Sequence, residues 1–289
     1  MCPLIFSMVV FSRNFYKKFS GDAGSLVGVK INFKESQEKM EGLEKITKNG
    51  KALFLAYDHG MEHGPVDFDD ESVDPAKILE IADSGFFTGF ICQKGIAEKY
   101  YQKNKNKVPL IVKLNGRTNL ISGQDPYSPQ ICTVEEAISL GASAVGYTVY
   151  VGSEYEAKMI SEFSKIEEET DKKGIPLIGW MYPRGKAVEG KERSKEILAY
   201  GARIALEIGA EMIKIPYTGD LESFKWVVQS AGRTKVVVMG GKKTEEKEFF
   251  MMVEDVLSAG AVGLAVGRNI WQDEEPLKIS QKLAEVIFK

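Results

Sequence analysis

Glu211-Met212-Ile213-Lys214-Ile215-Pro216-Tyr217-Thr218-Gly219-Asp220 holds a lysine inside a short apolar run ended by proline and glycine. The run reads as a buried strand, and Leu221 to Ala231 behind it reads as a helix. Burial makes an ammonium costly, so a lysine held there is pushed toward the neutral amine. A neutral amine attacks carbonyl carbon. A lysine snorkelling from a strand end, or closing a core ion pair, gives the same local pattern. The surrounding chain has to decide between these.

Outward from this stretch the same strand-then-helix unit repeats. Eight apolar runs recur at 52–57, 89–92, 110–114, 144–148, 177–181, 212–215, 236–239 and 262–266. Most are continuous rather than alternating, as in parallel strands covered on both faces. Helices fit between them. Asp74-Pro75 is an N-cap with proline at the first helical position, and Gly85 closes that helix. Thr133 to Glu136 and Ser153 to Glu156 both read as capping boxes. The second opens a helix with Met159, Ile160, Phe163 and Ile166 on one face. Ser194 to Ile208 and Thr244 to Ala259 complete the later set, while 95–107 reads as a short helix running into loop. Eight such units over residues 51–289 predict a (β/α)8 TIM barrel. No GxGxxG follows the first strand, which argues against a doubly wound sheet.

Composition sets the frame. The 289 residues are 44% hydrophobic and 27% charged, ordinary for a globular protein, with a net charge of -3. That balance gives no reason to expect a nucleic acid or an anionic membrane as partner. Cys2, Cys92 and Cys132 are widely spaced without a CxxC and read as reduced cytosolic thiols. The apolar run Cys2 to Phe11 is too short to span a bilayer and lacks the features of a signal peptide. Residues 1–39 read as an N-terminal extension, partly disordered, or as an overlong gene start with Met40 the true start. The barrel domain is expected over 40–289.

In a barrel, catalytic groups sit where strands end. The first strand ends in Tyr57-Asp58-His59, the third in Lys113-Leu114-Asn115-Gly116, and the fifth in Trp180-Met181-Tyr182-Pro183-Arg184. Lys214, Asp58 and Tyr182 put a lysine, a carboxylate and a phenol on one rim, the set that Schiff-base chemistry requires. Lys113 is the competing lysine. It precedes a polar loop in which an ammonium is more easily solvated, so Lys214 is favoured. The seventh strand ends in Gly240-Gly241-Lys242 and the eighth in Gly267-Arg268. Glycines there let backbone N–H groups approach an anion, and helix N-termini behind them favour it, so these loops read as a phosphate site. His59 and His63 are the only histidines in the chain. Glycine follows the first where the helical zinc signature has glutamate, so no metal is expected.

The segments LAYDHGMEHGP (55–65), KGIAEKYY (94–101), KLNGRT (113–118), GASAVGYTVYVGS (141–153), WMYPRG (180–185), MIKIPYTGD (212–220) and GLAVGRNIWQ (263–272) resemble the archaeal-type class I fructose-1,6-bisphosphate aldolases, also called DhnA-type. The resemblance covers nearly all of 51–289. It implies a TIM barrel without a cofactor, a sugar-phosphate substrate, and homo-oligomers that reach decamers. It assigns the Schiff-base lysine to Lys214, proton transfer to Tyr182, and the first-strand aspartate to Asp58. It places Trp180, Arg184, His59, Gly240, Gly241, Lys242, Gly267 and Arg268 about the substrate. Met239-Gly-Gly-Lys242 departs from the family's Ser-Gly-Gly-Pro. A lost serine hydroxyl weakens one phosphate contact there, which Lys242 could offset. A related synthase of an aminodideoxyheptulosonate shares the lysine and tyrosine and ranks second. A non-catalytic sugar-phosphate-binding barrel ranks third, because it would not need the lysine, tyrosine and aspartate together.

Overall fold

The computed structural model describes residues 41–289. The reading of 1–39 as an extension lies outside the described residues. Eight parallel strands close on themselves in chain order, β1 to β8. They are β1 Ala52–Ala56, β2 Gly89–Gln93, β3 Leu110–Lys113, β4 Ala142–Val151, β5 Leu177–Pro183, β6 Met212–Ile215, β7 Lys235–Met239 and β8 Gly263–Val266. Pairing of Leu53 with Leu264 and of Phe54 with Ala265 closes the ring between β1 and β8. The expected TIM barrel is the observed fold. The continuous apolar runs follow from its layers, since strand residues face either the barrel interior or the helices, and nearly all are buried.

Two strands run further than their apolar runs suggest. β4 continues through Val149-Tyr150-Val151 and β5 through Tyr182-Pro183, in register with each other to Val151 opposite Pro183. The β-branched and aromatic residues of β4 favour the extended chain. Pro183 is the last residue of β5, and the chain just beyond it still bonds to β4, Arg184 N donating to Val151 O at 3.0 Å. This extra length lifts Tyr150 and Tyr182 to the C-terminal rim of the barrel.

The helix ends follow local capping chemistry. Asp74 accepts from Ala76 N ahead of Pro75–Ala82, and Thr133 Oγ1 accepts from Glu136 N ahead of Val134–Ser139. Lys94–Tyr100 is the short helix between β2 and β3, followed by turns. The capping box at Ser153 is a correction. The helix begins at Glu156, and Ser153 Oγ accepts from Tyr155 N at 3.1 Å, not from Glu156 N, while donating to Pro126 O at 2.6 Å. Glu156 accepts from Gly152 N at 2.6 Å, so its carboxylate holds the preceding loop rather than the Ser153 N–H that a capping box requires. Met159, Phe163 and Ile166 do line the buried face of that helix. None of the described helices is long and apolar enough to cross a membrane.

Candidate active site

Lys214 lies on β6, paired with Trp180 of β5 and Val237 of β7. Its side chain points into the barrel mouth and is buried. The ammonium sits 5.2 Å from the centroid of the Trp180 ring and 3.8 Å from Asp58 Oδ1. Burial lowers its pKa. Asp58 works against that shift, and the positive charges of Lys113 and Arg268 work with it.

Lys113 overturns an expectation. Its relative exposure is 2%, against 4% for Lys214, so it is no better solvated. The polar residue after it does not open a wet loop. Asn115 is buried, donates to Ser128 O and Thr148 O, and accepts from Thr148 N. Carboxylate count separates the two lysines. Lys113 Nζ lies 3.3 Å from Asp58 Oδ2 and 3.9 Å from Glu62 Oε2, whereas Lys214 has only the 3.8 Å contact to Asp58.

Asp58 follows β1 and precedes the single helical turn His59–His63. Burial would raise its carboxyl pKa, but Lys214 and Lys113 together hold it well below the usual carboxylate range. Glu62, one turn on, is also buried. It accepts from Tyr150 Oη at 3.0 Å and pairs with Arg184 Nη1. Five charges therefore alternate along the rim, from Lys214 through Asp58, Lys113 and Glu62 to Arg184.

Tyr182 stands near the end of β5 with its ring 5.8 Å from the Arg184 guanidinium. Burial, then the charges of Asp58 and Glu62, push its pKa well above the ordinary value. The phenol stays protonated at neutral pH and can act as a proton donor. Trp180 does not line the cavity. It is fully buried, its six-membered ring fills the space over Gly146, and its face supports Lys214 from below.

Asp58, His59, Lys113, Tyr182, Arg184, Lys214, Gly240, Gly241, Gly267 and Arg268 line one cavity at the C-terminal ends of the strands, together with Met239. Lys242 does not belong to it: its side chain is exposed on the outer loop. The helix after β7 begins only at Glu246, too far along to direct its dipole at Gly241. Gly240 N donates to Ala265 O at 3.1 Å, so that N–H is already used. Gly241 holds the left-handed turn, with φ of 73°. Gly267 permits a close approach, because a Cβ there would lie 2.6 Å from Ala56 O and 2.7 Å from His59 Cε1. Arg268 is mostly buried, and its Nη1 meets Asp67 Oδ2 at 3.3 Å. His63 Nδ1 contacts the same Asp67 oxygen at 2.8 Å. Two buried nitrogens in this corner, Arg268 Nε and His59 Nδ1, have no hydrogen-bond partner. The Arg268 Nε–H, a buried donor left open on a cation, suits an anionic ligand.

Residues 52–273 match the DeoC/LacD family of aldolases. The chain belongs to that family. Among curated members of this aldolase family, the class 1 fructose-bisphosphate aldolase of Thermoproteus tenax is 51% identical over 249 residues, covering 85% of this chain and 93% of the relative. That of Halobacterium salinarum is 42% identical over 84% of this chain and 93% of its own length. A 2-amino-3,7-dideoxy-D-threo-hept-6-ulosonate synthase of Archaeoglobus fulgidus is 36% identical over 86% of this chain and 90% of the relative. Among solved structures, an archaeal fructose-1,6-bisphosphate aldolase whose catalytic lysine carries the carbinolamine of its substrate superposes with a TM-score of 0.82. It is 49% identical and covers 87% of this chain and 100% of its own.

Three site residues of this aldolase-family barrel escaped the reading of its sequence. Glu62 and Asp67 were passed over, and Lys113 was considered only as a rival nucleophile. Spacing carried a signal, since Asp58 and Glu62 lie four apart, as do His63 and Asp67, the separation that stacks side chains on a helical turn.

Proposed function

We propose that this chain is a class I aldolase that reversibly cleaves fructose 1,6-bisphosphate into dihydroxyacetone phosphate and glyceraldehyde 3-phosphate, with Lys214 as the Schiff-base residue. The observation that carries the reading is the buried Lys214 amine. It is stripped of water and held by one shared carboxylate, within a cavity that also offers a protonated phenol and an anion corner. The likeness to class 1 aldolases across nearly the whole barrel supports it.

Neutral Lys214 attacks the C2 ketone, and loss of water gives an iminium. Water takes up the C4 hydroxyl proton as the C3–C4 bond breaks, the electron pair moves into the iminium to form an enamine, and Tyr182 is later reprotonated from the same water. Glyceraldehyde 3-phosphate departs. Tyr182 supplies the proton that the enamine takes up at C3, and hydrolysis returns dihydroxyacetone phosphate and the free amine. Asp58 orients the lysine and the substrate hydroxyls. The iminium serves as the electron sink, so the chemistry calls for neither metal nor cofactor. Arg268, Gly241 and Gly267 receive one phosphate, with His59 beside them, and Arg184 faces the remainder of the ketose.

The protein acts as a homo-oligomer in the cytoplasm. Tyr200 and Trp226 lie 59% and 52% exposed on the outer helices Lys195–Glu207 and Leu221–Ser230, a surface suited to a second copy. Cys92 and Cys132 are buried free thiols, in keeping with a reducing compartment.

The deciding experiment is borohydride reduction in the presence of dihydroxyacetone phosphate, followed by peptide mapping. Stable added mass on Lys214 is the expected result. Mass elsewhere, or none, rejects the mechanism.

A further inference from the structure

Lys113 is a buried cation that the mechanism above does not use. Its ammonium is wedged between Asp58 Oδ2 at 3.3 Å and Glu62 Oε2 at 3.9 Å. Glu62 is itself anchored from two further elements, by Tyr150 of β4 and by Arg184 after β5. Asp58 is thus shared between two lysines, and Lys113 has the shorter contact and the second carboxylate. Lys214 keeps only the longer contact to the other oxygen.

We propose that Lys113 is a positioning residue for the nucleophile: anchored by Glu62, it draws Asp58 toward itself and leaves Lys214 the weaker partner of that carboxylate. This rests on the assignment of Lys214 as the Schiff-base lysine. The consequence is electrostatic. A carboxylate given wholly to Lys214 would hold its proton on, whereas a carboxylate neutralised by a neighbouring ammonium does so much less. The Lys113 charge also opposes a second charge nearby in a dry site. The groups facing Lys214 are Asp58 from the end of β1, His59 and Glu62 from the turn after it, Lys113 from β3, Trp180 and Tyr182 from β5, and Arg268 after β8. Burial lowers the pKa of His59 to about 4 and keeps Tyr182 protonated, so neither changes charge near neutrality. Burial lowers the Lys214 pKa first, and among the charges facing it Asp58 opposes that shift most, so a group that competes for Asp58 alters the balance.

The test is the pH dependence with which Lys214 is trapped by dihydroxyacetone phosphate and cyanoborohydride, read as added mass between pH 5 and 9. In Lys113→Gln the acid limb should move to higher pH by about one unit or more. Trapping at a pH on that limb should then be roughly tenfold slower and recover at alkaline pH. Lys113→Arg, which keeps the charge, should hold the limb near its wild-type position. Glu62→Gln should move it the other way, because one negative charge is removed near Lys214 and Lys113 then leans on Asp58 alone. That variant provides the reading if Lys113→Gln does not fold. A merely structural role for Lys113 predicts a loss of rate that is uniform in pH, and a substrate contact predicts a raised KM with the limb unmoved. Either result, or an alkaline shift in Glu62→Gln, overturns the proposal. Absence of mass on wild-type Lys214 would instead reject the aldolase assignment on which it rests.

Discussion

The indole of Trp180 occupies the space that any side chain at position 146 would need: a Cβ built on Gly146 would lie 1.4 Å from Cζ3 of Trp180. Gly146 sits on β4, paired with Lys113 on one side and Ile178 on the other. The glycine lets the indole lie flat across the barrel, and the indole forms the floor under the Lys214 ammonium. A position with no functional group of its own thereby sets the height of the Lys214 ammonium.

Gly146→Ala should therefore damage the site from beneath. The indole is fully buried, so overpacking should cost about 1–3 kcal/mol of stability. A displaced Lys214 should lose turnover on the order of 10²-fold. Thermal denaturation and a cleavage assay on the same sample check this. Wild-type turnover in the folded variant would show that the indole does not position the lysine.

Lys214→Met should abolish cleavage and covalent trapping while leaving the fold intact. Methionine fills a similar apolar volume, and Asp58 keeps Lys113 as partner. Lys113→Met should still trap mass on Lys214, though more slowly. Circular dichroism with peptide mapping distinguishes the two, and label on Lys113 in any variant would exchange their roles.

Arg268→Ala should raise KM for fructose 1,6-bisphosphate by ten- to a hundredfold or so, the loss expected of a charged contact to phosphate. It also leaves Asp67 with His63 as its remaining close partner. An unphosphorylated ketose should be much less affected. Equal losses on both substrates would make Arg268 a structural residue.

His59 should make the fold acid-sensitive. Burial pushes its pKa down to about 4, from an ordinary value of 6.5, with Asp58 opposing. Above 6.5 the ring is neutral whether folded or unfolded and contributes nothing to the pH dependence. Between 6.5 and about 4 only the unfolded chain takes up the proton, so stability falls as pH falls, by at most about 3 kcal/mol. Urea denaturation at pH 7 and pH 4.5 should show the drop, and His59→Gln should reduce it. An unchanged slope in that variant would place the acid sensitivity elsewhere.

The sequence by itself determined the barrel and much of its rim. Continuous apolar runs are what parallel strands buried on both faces require, and β6 was bounded correctly because Pro216 stops it. Asp74 and Thr133 could be placed because caps act over three or four residues of chain. Lys214, Asp58 and Tyr182 were legible because each stands at or just beyond a strand end, and a barrel brings such ends together. Only the tertiary structure decided how those groups share charge. The pairing of Lys113 with Asp58 and the bridge from Glu62 to Arg184 join residues far apart in the chain, the latter 122 residues, and the exposure of Lys242 is set by the folded loop. Trp180 likewise proved to be a floor rather than a wall, because the vacancy it fills belongs to a glycine on the next strand. Strand pattern is a one-dimensional property, enforced by backbone pairing and the side-chain period. Which carboxylate meets which lysine is set by packing in three dimensions, where a contact of a few ångströms leaves no trace in local sequence.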